Sequence, residues 1–156
     1  MSGNRLRPAQ IGRTRTAQRA VLLGADLRKQ RGLDVSCVTG GGDFRVGYPT
    51  AGLNRTLDPS LRTKVRGRAI LTLTSSSRFS LRGIKPGTRE KAAKQALGRA
   101  QRVSVGTNVW YVARRGGIVQ LVKTRRGVVD EIGIGDARLT GSVAKTKRFL
   151  LIWPIQ

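Results

Sequence analysis

Between residues 103 and 134 the chain alternates apolar runs of strand length with short glycine-bearing turns, and this spacing leaves few folds open. Residues 103–105 lead into 108–113. Arg114-Arg115-Gly116-Gly117 then turns, 118–124 forms the next run, Arg125-Arg126-Gly127 turns again, and 128–134 closes the series. Runs joined this tightly pair with their sequence neighbours, because parallel pairing needs a long crossover. The spacing predicts a three-stranded antiparallel meander. Just ahead of it, residues 89–97 are rich in helix formers. Gly98 stands where a helix-stopping glycine belongs, and Thr88 is the expected N-cap. Ala92, Ala93, Ala96 and Leu97 give this helix a small-residue face suited to packing on a sheet.

The first half carries weaker patterns. Residues 1–16 are polar and basic, with Pro8 and Gly12 as breakers, and read as a flexible basic arm. Residues 16–31 read as a helix that starts at Thr16-Ala17-Gln18 and ends at Gly32. Leu33, Val35, Cys37 and Thr39 share one side of an extended run. Gly40-Gly41-Gly42 makes a hairpin turn, and Phe44, Val46 and Tyr48 share a face of the returning strand, which Pro49 ends. Asp58-Pro59 is an N-cap followed by proline at the first helical position, so residues 59–66 form a short helix with Leu57, Leu61 and Val65 inward. Residues 68–74 are strand-like, Ser75-Ser76-Ser77 turns, and 78–84 returns as a partner strand with Phe79 and Leu81 buried.

These patterns give an α+β fold of short helices packed on antiparallel sheet, with a helix followed by the meander in the C-terminal half. The expected organisation is the arm 1–16, an α+β unit over 17–83, a helix-plus-meander unit over 84–140, and a docked C-terminal segment over 141–156. Phe149-Leu150-Leu151-Ile152-Trp153 is the apolar stretch that docks, or else a contact surface for a partner.

Composition excludes several kinds of chemistry. Lys and Arg number 31 against 8 Asp and Glu, for a formal charge of +23; histidine is absent and cysteine occurs once. A Cys/His zinc site lacks ligands, an internal disulfide lacks a second thiol, and a triad lacks its imidazole base. No apolar run reaches the roughly 18 residues a membrane-spanning helix needs, so no transmembrane segment is expected. Residues 19–25 are too short an apolar core for an export signal. The chain is therefore expected to be cytoplasmic, or exported or envelope-associated if Met1 is not the natural start. The charge is spread, at net +5 over residues 1–43, +7 over 44–83, +8 over 84–140 and +3 over 141–156. Arginine supplies 23 of the 31 cations, and its planar fork suits phosphate and carboxylate.

No constellation for catalysis, cofactor or metal stands out, and none of these roles is expected. Cys37 has no histidine to activate it and reads as a buried small residue in an alternating strand, or as an intermolecular disulfide partner in an exported chain. Asp130 and Glu131 are adjacent in a strand, so they are expected on opposite faces and not as an acid–base pair; Asp130 and Asp136 offer too few oxygens for calcium. Ion pairing with arginine is the expected fate of all three. Gly40-Gly41-Gly42 and Arg114-Arg115-Gly116-Gly117 lack the spacing of a phosphate loop. The candidate polyanion contacts are Arg114, Arg115, Lys123, Arg125 and Arg126, with Tyr111 as a sheet-surface aromatic beside a core Trp110. Alternate turns of a meander lie at opposite ends of the sheet, so the two arginine pairs are expected apart.

Gly83-Ile84-Lys85-Pro86-Gly87-Thr88, the helix to Leu97-Gly98, Gly106-Thr107-Asn108-Val109-Trp110-Tyr111 and Arg126-Gly127-Val128-Val129-Asp130-Glu131-Ile132 together carry a resemblance. The stretch 83–134 resembles the small repeat of SmpA/OmlA-type outer-membrane assembly lipoproteins and of β-lactamase inhibitory protein. In those families an Ile-x-x-Gly-Met-Thr-like turn opens a helix ending in Leu-Gly, and strands containing Trp-Tyr follow. Here Thr88 directly follows Gly87, and the N-terminal Cys of a lipoprotein anchor is absent, so neither anchoring nor an inhibitory residue carries over. Cys37-Val38-Thr39-Gly40-Gly41-Gly42, Arg45-Val46-Gly47-Tyr48-Pro49 and Asp136-Ala137-Arg138-Leu139-Thr140 resemble basic C-terminal segments of exported actinobacterial proteins. The resemblance implies a non-catalytic binding module that contacts a protein or an anionic cell-envelope polymer. The alternative is a cytoplasmic nucleic-acid-binding protein using diffuse charge.

Overall fold

Four strands, not three, build the C-terminal meander, because Gly106 (φ 58°) lets the chain turn back within what the sequence suggests is one run. The computed structural model describes residues 5, 6, 8–22 and 27–153. Strands β1 (Arg5–Leu6) and β2 (Ala9–Gln10) form a small hairpin, followed by helix α1 (Arg15–Val21). Then come β3 (Arg28–Gln30), β4 (Leu33–Cys37), β5 (Asp43–Gly47), α2 (Ala51–Thr56), α3 (Pro59–Val65) and β6 (Leu71–Thr74). Helix α4 (Glu90–Leu97) opens the second half. It leads into β7 (Gln101–Val105), β8 (Asn108–Arg115), β9 (Ile118–Arg125) and β10 (Val128–Asp136), a 3-10 turn at Ala137–Leu139, and α5 (Val143–Leu151).

All eight strands from β3 onward join one antiparallel sheet in the order β3-β4-β5-β6-β10-β9-β8-β7. The two halves of the chain meet where β6 pairs with β10, Leu73 opposite Gly133. The fold is α+β, and helices cover the sheet on both sides. One face carries Phe44, Val46, Tyr111, Val122, Ile132 and Ile134, beneath Ala93 and Leu97 of α4 and Leu6 and Ala9 of the hairpin. The other carries Val35, Leu71, Leu73, Trp110 and Leu121, beneath Leu53, Val65, Phe149 and Leu150 of α2, α3 and α5.

Several local expectations hold. Asp58 caps α3, accepting from the Leu61 N–H at 2.9 Å, with Pro59 at the first position. Gly98 closes α4 at φ 68°. Others give way to tertiary pairing. Helix α1 starts earlier and is shorter than expected; Thr14 is its cap, and Arg28–Gln30 leave the helical pattern to pair with β4. Residues 23–26 of the expected helix lie outside the described residues. Residues 78–84 form no strand, because β6 already has β5 and β10 on its two edges; Leu81 and Ile84 bridge only each other. Thr88 accepts from the Lys85 N–H at 3.0 Å and closes a turn, while Arg89 takes the N-cap of α4 without a side-chain bond. The described part of the expected basic arm packs on the core, with Leu6, Ala9 and Ile11 all buried.

The C-terminal segment reaches across the second face. Ser142 caps α5, Phe149 and Leu150 are buried, and the buried Trp153 donates its indole N–H to the Gly32 carbonyl at 3.0 Å. Gly47 makes room for that ring, since a Cβ there would stand 2.8–3.0 Å from three atoms of the Trp153 indole. Gly47→Ala is expected to cost about 1–3 kcal/mol through overpacking. Urea unfolding followed by tryptophan emission checks it, with the native emission shifted to the red as Trp153 is pushed outward.

Candidate functional site

Every described acidic side chain has a hydrogen-bond or ion-pair partner within the chain, Asp58 from an exposed position. Asp58 caps α3, and Glu90 accepts a short hydrogen bond from the Tyr111 hydroxyl. Asp136, 1 % exposed, accepts from Arg138. Asp34, wholly buried on β4, is held by Arg15 and Arg19 of α1 at 2.6 and 2.9 Å. Asp43, Asp130 and Glu131 belong to a larger cluster.

That cluster is a chain of five charges. Arg45 Nε lies 3.2 Å from Asp43 and Arg45 Nη2 makes a short bond to Glu131 Oε1. The same Oε1 lies 3.5 Å from Lys123 Nζ, which is 2.9 Å from Asp130 Oδ2. Arg45, Glu131 and Lys123 are all buried, and Asp43 and Asp130 stand at the two half-exposed ends. Register explains the assembly. Arg45 opposes Val35 and Leu73, and Lys123 opposes Trp110 and Glu131, so these side chains share the second face of the sheet. The β10 ladder shifts register between Val129 and Glu131. This bulge lets Asp130 and Glu131 reach the same ammonium, although regular alternation would part them. The expectation that the two carboxylates act apart is corrected on that ground.

A groove of about 480 Å3 opens beside the cluster, lined by Arg28, Gln30, Arg45, Arg125, Asp130 and Glu131 among others. No sequence motif marked it. Its residues come from β3, β4, β5, β9 and β10, and only the register of the sheet gathers them.

The polyanion candidates divide into outer and inner groups. Arg114, Arg115, Arg125 and Arg126 are exposed. The first pair ends β8 and the second sits at the β9–β10 turn, at opposite ends of the eight-residue β9. That strand spans roughly 25 Å. Arg115 donates to the Leu97 carbonyl at 2.8 Å, whereas Arg125 lines the groove. Lys123 is fully buried among carboxylates and out of a polymer's reach. Tyr111 is buried too, because α4 covers the face on which it was expected to stand in the open; the Lys94 ammonium lies 5.4 Å from its ring centre. Burial pushes the Tyr111 phenol up, as does the Glu90 carboxylate it donates to. Cys37, expected inside, is exposed at the last position of β4, next to the turn.

Burial alone would raise the Asp34 carboxyl, but hydrogen bonds and charge from Arg19 and Arg15 outweigh it and hold the group below the ordinary carboxylate range. A carboxyl depressed by folding contributes stability that is complete above its unfolded pKa and is lost as pH falls through the folded one. Urea unfolding between about pH 6 and pH 2 should show the wild type losing stability on the acid side, and Asp34→Asn should flatten part of that slope. In the five-charge chain, Lys123→Met leaves Glu131 and Asp130 short of a counterion. It is expected to cost about 3–5 kcal/mol by urea unfolding at neutral pH.

No protein-family model and no curated protein matches the chain. Among solved structures, it is similar to a DUF4309 family protein, YjgB, of Bacillus subtilis, with a TM-score of 0.54 and 10% identity over 86% of this chain and 83% of that one. It is also similar to an extracellular protein containing a SCP domain from Bacillus anthracis, with a TM-score of 0.50 and 6% identity over 87% of this chain and 47% of that one. Neither is an outer-membrane assembly lipoprotein or a β-lactamase inhibitory protein, the families that residues 83–134 resemble. At these identities the likeness is one of fold.

Proposed function

We propose that this protein is a non-catalytic binding module whose basic exterior holds an anionic polymer of the cell envelope. One observation carries the reading: the described acidic side chains are taken up by a helix cap, a tyrosine hydroxyl and ion pairs, so the outer charge of a +23 chain has little to oppose it. Such a field attracts repeating phosphates by releasing their counterions. The exposed arginine pairs at both ends of β9 suit a long ligand better than a compact one. Nucleic-acid binding through stacked bases is less well supported, because Tyr48, Trp110, Tyr111 and Trp153 are all buried.

Fluorescence anisotropy with labelled poly(glycerol phosphate), single-stranded RNA and duplex DNA, each at low and near-physiological salt, tests the reading. The expected result is that the envelope-type polymer alone keeps measurable affinity at the higher salt. Reversing Arg114 and Arg115, or Arg125 and Arg126, to Glu should weaken it and lower the salt slope. Survival of a nucleic acid but not of the polymer would sink the proposal in favour of the cytoplasmic alternative. Loss of all three would reduce the exterior to diffuse charge.

A further inference from the structure

A cavity of about 90 Å3, separate from the groove, lies between the α2–α3 corner and α5. Its floor is apolar. Leu53 of α2, Leu139 of the 3-10 turn and Phe149 of α5 are buried there, and Leu57 and Leu61 are half-buried. Local sequence makes the corner. Pro59 keeps Asp58 extended (ψ 154°), and Leu57 before it is extended too (ψ 146°). Leu53, Leu57 and Leu61 therefore line a bend and not the single stripe that a continuous helix would give them.

The mouth of the cavity is basic. Arg138, Lys145 and Arg148 stand around it, all exposed, against one carboxylate, Asp58, whose Oδ1 accepts from the Leu61 N–H. Lys145 and Arg148 are three residues apart on α5, so they share a face of that helix. Among the described residues neither of their side chains makes an ion pair, whereas Arg138 is held by Asp136. The apolar floor gives a small hydrated anion nothing to bury, and the cations at the mouth oppose a positively charged ligand. A molecule with a short alkyl body and an anionic end satisfies both parts, with the body out of water and the charge at the mouth.

We infer that this cavity binds a small amphiphilic anion, its alkyl body on Leu57, Leu61 and Leu139 and its carboxylate or phosphate beside Lys145 and Arg148. A cavity of about 150 Å3 holds benzene. The body that fits here is therefore smaller than that ring, a butyl or isobutyl group. The inference stands apart from the polymer reading, since a repeating polyanion binds by charge and has no alkyl end to bury.

Titration of the full chain followed by two-dimensional amide NMR tests it. The probes are the straight-chain carboxylates from acetate to pentanoate, with octanoate, butyl phosphate and butylamine, all at matched ionic strength. Affinity is expected to rise about fourfold with each methylene up to pentanoate. Octanoate should gain little more, because the cavity is then full. The shifts should centre on Leu57, Leu61, Leu139 and Phe149. Butylamine, with the same body and the opposite charge, should bind about tenfold more weakly or worse. The tighter of pentanoate and butyl phosphate identifies the anionic group. Lys145→Ala combined with Arg148→Ala, both at exposed positions, should weaken pentanoate about tenfold and keep the chain-length gradient. Arg125→Ala, in the other groove, should change nothing. If the double variant fails to fold, the ligand series decides without it. The inference is overturned if no anion saturates, if acetate or butylamine binds as tightly as pentanoate, if the gain continues undiminished to octanoate, or if the folded double variant binds as the wild type does.

Discussion

Helices cover both faces of the antiparallel sheet, and that coverage governs the rest of the molecule. An antiparallel sheet with one face in water can point its polar residues outward. Here the outward face is closed as well, so alternate positions that would meet solvent meet α4, α1 and the N-terminal hairpin instead. Polar side chains trapped between the layers must find partners or lose more than they gain. Asp34 does so with Arg15 and Arg19, Glu131 with Arg45 and Lys123, and Asp136 with Arg138. The buried ion pairs follow from the covering of the sheet.

The covering itself depends on long-range contacts. Strand β6 pairs with both β5 and β10 and so joins the two halves of the chain. Trp153 ties the end of the described chain to Gly32 across the second face, with Gly47 leaving space for its ring. Phe149 packs edge-on against Trp153 at 5.0 Å, so α5 and Trp153 dock as one unit.

Charge then sorts by partner. Eight acidic residues are few against 31 cations, and the fold gives those it describes a helix cap, a tyrosine hydroxyl or an ion pair. The outside is left strongly basic without any basic motif in the sequence. The groove beside Glu131 is one place where the two signs meet at the surface.

Local pattern along the chain was enough for the individual pieces: the last three strands of the meander, the α4 helix with its Gly98 stop, the Asp58-Pro59 start of α3 and the β4–β5 hairpin. These are set by period, turn glycines and caps, which act over a few residues. The tertiary structure decided which strands become neighbours, and so it overrode local pattern at residues 78–84, at Arg28–Gln30 and at Tyr111. It also decided the site. Arg45 and Glu131 lie 86 residues apart in sequence and meet through the pairing of β5, β6 and β10. The bulge that brings Asp130 and Glu131 to one lysine is a shift of register, and register is fixed by which faces are buried. No spacing rule along the chain encodes contacts of that range, so the groove was invisible until the sheet was assembled.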